Sequence, residues 1–180
     1  ALRALRVAGT RPRNMVAGFM LTTAGLSAFV SNTATTAMMV PIAMSVIHLV
    51  RIKGAQSEDE QRHSANLSVC LMLGIAYAAS IGGMATIIGT PPNAWVVGFA
   101  ADAFDTEITF LGWLAIGLPV TLLFLPLTWF LLTRVLFTLD KHPIRGGTEL
   151  IRSELRAMGP ASRGERITLA VFCLTALTWV

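Results

Sequence analysis

From Asn14 to Val50 the chain runs without a single Asp, Glu, Lys or Arg. Three more such runs follow, Leu67–Ala101, Ile108–Thr133 and Ile167–Val180. About 20 predominantly apolar residues cross the ~30 Å hydrocarbon core of a bilayer, so runs of this length predict membrane spans. Inside lipid every backbone N–H and C=O has to be satisfied within the protein, a demand that a continuous apolar run meets as an α-helix. The composition agrees: 54% of the 180 residues are hydrophobic and only 13% charged, which is not that of an ordinary soluble domain. The expected fold class is therefore all-α, a polytopic integral membrane protein.

The charges that remain sit beside the runs. Arg3, Arg6, Arg11 and Arg13 precede the first, and Arg134, Lys141, Arg145, Arg152, Arg156, Arg163 and Arg166 follow the third. Juxtamembrane Lys and Arg mark cytoplasmic segments, so the net charge of +4 needs no polyanionic partner and a nucleic-acid role is excluded. Residues 1–13, 51–66 and 134–166 read as cytoplasmic, 1–13 as a short interfacial helix, and only the acidic segment 102–107 reads as external. Cys70 and Cys173 both lie in apolar runs and suggest neither a disulfide nor a zinc site. No signal peptide is evident, and a chain that starts on Ala1 and stops inside an apolar run is expected to be a fragment.

Cytoplasmic charge on both flanks of 14–50 means that this run enters the membrane and returns. Two arms, roughly Met15–Val30 and Ala34–Val50, are each about 25 Å long at ~1.5 Å per residue, too short to span. A re-entrant helical hairpin over 14–50, tipped by "SNT" at Ser31–Thr33, is the expected solution. The second run, 67–101, contains "GGMATIIGTPPN" from Gly82 to Asn93, in which glycines and paired prolines break a helix. This predicts a helix over about Ser64–Gly82, an unwound stretch near 84–90, and a restart with Thr90 as N-cap and Pro91 in the first turn. Residues 108–133 form an ordinary span, with Trp95 and Trp113 as interfacial anchors, and 167–180 begin a further one.

Two interrupted helices in one membrane chain point to a transport site. A helix that starts inside the bilayer aims free N–H groups and partial positive charge at an anion, while unwound carbonyls suit a cation. Ser27, Ser31, Asn32 and Thr33 add hydroxyl and amide oxygens of the kind a hard cation takes. With no Lys or Arg in the run, a bound cation would have to neutralise the anion. Two rival readings stand beside this one: Ser, Thr and Asn as hydrogen-bonding glue in a structural membrane subunit, and Gly and Pro as packing or kink sites. An intramembrane hydrolase with Ser27 or Ser31 as nucleophile is disfavoured, since no base lies in the same layer, and no enzymatic role or enzyme cofactor is expected.

Taken together, "SNTATTAMMVPIA" (Ser31–Ala43) and "IGGMATIIGTPPN" (Ile81–Asn93) resemble the divalent anion/sodium symporter family of dicarboxylate, citrate and sulfate carriers. The resemblance also covers "RALRVAGTRPRNMVAGFMLTTAGLSAFV". It implies a protein of two inverted-topology halves, each with a hairpin tipped by Ser-Asn-Thr, working as a homodimer by an elevator movement in the plasma (inner) membrane. Ser31, Asn32 and Thr33 would then bind a small dicarboxylate or divalent anion. Sodium, the coupling ion, would be held by Ser27, Ser31, Asn32, the Gly89 carbonyl and Thr90. Because "SNT" occurs once, only half of such a site is expected here, and a sodium-independent exchanger of the same family is the alternative.

Overall fold

The computed structural model describes residues 11–53, 58–139 and 162–178, and every regular element among them is helical. The helices are α1 (Pro12–Ser27), α2 (Asn32–Lys53), α3 (Glu58–Gly83), α4 (Pro91–Phe104), α5 (Phe110–Phe130) and α6 (Arg163–Thr178). A π-helical turn, Leu131–Leu136, extends α5. Most of the segment expected as an interfacial helix over 1–13, and most of the loop expected over 134–166, lie outside the described residues.

Helix α3 is the central post. Its buried positions Leu67, Cys70, Leu71, Gly74, Ile75, Ala78 and Ile81 recur at spacings of three and four, forming one apolar stripe. Against it lie Met15, Val16, Phe19, Met20 and Ala24 of α1 and Met39, Ala43, Val46 and Ile47 of α2. Small residues let α1 and α3 touch backbone to backbone. A Cβ at Gly82 would land on the Ala24 carbonyl, and one at Gly74 would lie 3.2 Å from Met20 Cγ. The pairings Val16 with Gly74 and Ala24 with Gly82 make the two helices run parallel. Because α2 begins beside Gly83 and packs along α3, it runs back the other way, so α1 and α2 form a hairpin.

Several boundaries differ from those expected. Helix α3 starts at Glu58 inside the segment assigned to a loop, because Glu58, Asp59 and Glu60 in its first turn complement the helix dipole. Helix α4 continues past residue 100 to Phe104 and closes on Asp105, whose left-handed backbone (φ 49°) ends the helix. Ser162 and Glu165 cap α6 reciprocally: the Ser162 N–H donates to Glu165 Oε2 at 2.7 Å, and the Glu165 N–H to Ser162 Oγ at 3.2 Å.

Among the described residues, two helical stretches are long and apolar enough to cross a membrane, Glu58–Gly83 with 26 residues and Phe110–Leu136 with 27. The first is half buried by its neighbours. The second exposes Leu111, Ile116, Leu118, Leu122, Leu123, Phe124 and Leu127, an apolar surface that suits lipid rather than water. Trp113, expected as an interfacial anchor, instead donates its indole N–H to the Met84 carbonyl at 3.1 Å. Trp113→Phe keeps the ring bulk but strands that acceptor. Thermal unfolding in detergent is expected to show a loss of about 1–3 kcal/mol.

Candidate binding site at two helix breaks

The hairpin turns over Ala28–Ser31. Helix α1 finishes with the Ala28 N–H on Ala24 O at 3.0 Å and the Val30 N–H on Leu26 O at 2.9 Å. Ser31 then opens α2: its carbonyl accepts from the Thr35 N–H at 2.9 Å and its hydroxyl from the Ala34 N–H at 3.4 Å. The first amides of α2, on Asn32 and Thr33, belong to the turn that no intrahelical carbonyl serves. They supply the partial positive end of the helix dipole at the tip.

The second break lies directly against the first. Helix α3 stops at Gly83 and the chain does not become helical again until Pro91. Thr90 takes the N-cap position that the sequence predicts, with extended backbone but no capping bond from its side chain. A buried carbonyl needs a partner, so each one released here can be traced. Ile81 O accepts from Thr121 Oγ1 at 3.0 Å, and Met84 O from the Trp113 indole. Gly83 O and Thr86 O each accept from Asn93 Nδ2 at 2.8 Å. Beyond them the two prolines decide the outcome. Pro91 and Pro92 lack the N–H groups that a continuing helix would aim at the Ile87 and Ile88 carbonyls. The loop thus keeps carbonyls that no helical donor claims.

The breaks meet at Asn32. A Cβ on Gly83 would fall on Asn32 Oδ1, and one on Gly89 would lie 2.5 Å from Gly83 O, so tip and loop stack without a side chain between them. Ser27, fully buried, sits beneath with its Oγ 2.7 Å from Asn32 Oδ1 and 2.8 Å from Ala79 O. A hydroxyl has one proton for these two acceptors. When it goes to Ala79 O, two oxygens with lone pairs remain 2.7 Å apart, which is an arrangement that a small cation relieves. Thr86 ties the loop to the turn by donating its hydroxyl to Ala28 O.

Of the residues picked out by sequence, the structure joins Ser27 and Asn32 directly, and Gly89 reaches them only through Gly83, on which both it and Asn32 pack. Ser31 and Thr33 lie exposed at the tip, with the Ser31 hydroxyl given to the α2 cap, and Thr90 is partly buried at the start of α4. The contributions of Ala79, Thr86 and Asn93 were not anticipated. Only the position of Asn93 within "GTPPN" hinted at one. Among the described residues, the groups at the crossing are hydroxyls, amides and carbonyls, and the partners beside the Ser27 hydroxyl, Asn32 Oδ1 and Ala79 O, are not bases of the kind nucleophilic chemistry needs.

The Citrate transporter family (CitMHS) matches this chain over residues 1–180. The chain belongs to that family. Membership places it among carriers rather than enzymes, and makes it a membrane protein. Relatives carry the same message. The sodium-dependent dicarboxylate transporter SdcS of Staphylococcus saprophyticus is 36% identical over 181 residues, covering 100% of this chain and 34% of the relative. The proteins of the same name from Staphylococcus aureus strains USA300 and NCTC 8325 are each 33% identical over 186 residues, with the same coverage. The chain thus spans about a third of the length of the curated relatives it matches.

Proposed function

We propose that this chain forms the part of a sodium-coupled dicarboxylate carrier that bears one hairpin tip and one unwound loop. The observation that carries this reading is the close pair of Ser27 Oγ and Asn32 Oδ1, pressed onto Gly83 where α3 unwinds. The names of the Staphylococcus relatives, sodium-dependent dicarboxylate transporters, supply the ion and the substrate class.

In this mechanism sodium binds between the tip and the loop, taking oxygens from Ser27, Asn32 and the carbonyls around Gly89, with Ser31 and Thr90 at its margin. A hard cation favours such an all-oxygen set. The charge it brings offsets the substrate's carboxylate, which approaches the exposed tip and takes the free amides of α2 together with the side chains of Ser31, Asn32 and Thr33. Ion and anion thus bind better together than apart, which is coupling in the thermodynamic sense. Residues 14–50 act as a re-entrant hairpin, whose first arm, the 16-residue α1, is short of spanning, and carry the site across the plasma membrane in an elevator movement. The whole carrier contains a second, inverted half with its own tip and assembles as a homodimer.

The test uses the full-length protein in proteoliposomes. Labelled succinate is offered under an inward sodium gradient, and in parallel with potassium in its place. Uptake is expected with sodium and to fall to the vesicle background with potassium. Equal uptake in both would favour a sodium-independent exchanger and overturn the coupled reading.

A further inference from the structure

The unwound loop has two contacts with the hairpin turn, and one side chain holds both of the loop residues that make them. Gly83 receives Asn32 Oδ1 against its Cα, and Thr86 donates its hydroxyl to Ala28 O. The carbonyls of these same two residues accept the two donors of the Asn93 carboxamide, each at 2.8 Å. Asn93 is itself fixed: it is 7% exposed, and its backbone N–H donates to Thr90 O at 3.1 Å in the first turn of α4. Both donors of the amide are spent on the loop.

We propose that Asn93 is a positioning residue for cation binding, a clamp that sorts the loop carbonyls into those that hold shape and those that face the ion. The inference rests on the sodium-coupled reading given above. By turning Gly83 O and Thr86 O inward onto one amide, Asn93 bends the loop so that both residues stay seated on the hairpin turn. The remaining carbonyls, Ile87 through Gly89, follow the clamped pair, and the prolines have already removed two of the helical donors that would draw them aside. Asn93 acts through Gly83 and Thr86 on Asn32 rather than by touching the ion. Thr121 offers the matched control, since it also donates one buried bond to a carbonyl at the end of α3, at Ile81, two residues before the first of the clamped pair.

The distinguishing measurement is the sodium concentration that half-saturates uptake, read on the full-length protein in proteoliposomes, with the sodium-induced rise in thermal midpoint as a second readout. Asn93→Ala is expected to raise the half-saturating sodium about tenfold, the equivalent of two lost hydrogen bonds, and to shrink the thermal rise. Asn93→Gln, which keeps both donors on a longer stem, is expected to recover part of the shift, and Thr121→Val to leave it at the wild-type value while lowering stability. Should Asn93→Ala fail to fold, Asn93→Ser, with one donor, is expected to fall between. Half-saturation unchanged in the folded Asn93 variants overturns the clamp while leaving the sodium site standing. A wild type whose uptake and thermal midpoint ignore sodium overturns the site reading itself, and the clamp with it.

Discussion

Asn32→Ala in the full-length carrier is expected to cut sodium-driven dicarboxylate uptake by roughly 100-fold or more without unfolding the protein. The size follows from what one carboxamide supplies. In the proposed mechanism its oxygen serves sodium and its side chain also serves the substrate. Hydrogen bonds to charged groups are worth about 1.5–3 kcal/mol each, and about 1.4 kcal/mol is a factor of ten. The fold is expected to persist, because Asn32 is only partly buried at the first turn of α2, and Ser27, which its oxygen faces, keeps the Ala79 carbonyl as an acceptor when the carboxamide is removed. Uptake by the reconstituted variant, set beside its thermal unfolding, checks both halves of the statement. If instead the polar tip were only glue between helices, stability would drop and uptake per folded molecule would stay near wild type.

Gly82→Ala and Gly83→Ala, one residue apart, are expected to fail in opposite ways. At Gly82 the added methyl meets the backbone of Ala24, which cannot step aside without moving α1 along its contact with α3. Overpacking of this kind costs about 1–3 kcal/mol, so Gly82→Ala is expected to lower the thermal midpoint and the yield of folded protein. At Gly83 the methyl meets the far end of the Asn32 side chain, which can rotate away. Gly83→Ala is therefore expected to fold normally yet need at least roughly tenfold more sodium for half-saturation, because a displaced ligand is a lost ligand. Paired melting curves and sodium titrations of the two variants separate a packing glycine from a site glycine. Equal melting curves for both would contradict the backbone-to-backbone seam between α1 and α3.

The two breaks were legible in the sequence because they are local. Charge-free runs too long for one span, with a small polar tip in one and Gly82 to Asn93 in the other, need only composition and spacing to be seen. Thr90 and Pro91 fell where capping rules put them for the same reason. The groups that finish the second break could not be read this way. Asn93, Trp113 and Thr121 reach carbonyls 10, 29 and 40 positions earlier in the chain, and such pairings exist only once the helices have packed. The early start of α3 was hidden by its own charges, since Glu58, Asp59 and Glu60 look like loop by composition and act as helix openers by position. Ser31 shows a third limit. Its place in "SNT" suggests a ligand, and the fold adds a role the motif does not spell out, as the Ser31 hydroxyl accepts from the Ala34 N–H at 3.4 Å at the start of α2.

Pro91 and Pro92 bias the second break covalently. Single prolines sit inside helices of this chain at Pro41, Pro119 and Pro126. Two adjacent rings, however, remove two consecutive donors at about 3 kcal/mol or more each, which disfavours annealing of α3 and α4 into one rod when the donors around them are removed. Variants at Asn93, Trp113 or Thr121 therefore change the shape of the gap but not its existence. In the proposed mechanism an ion leaving such a gap finds no helix ready to zip shut behind it, and the vacated loop stays open to the next arrival.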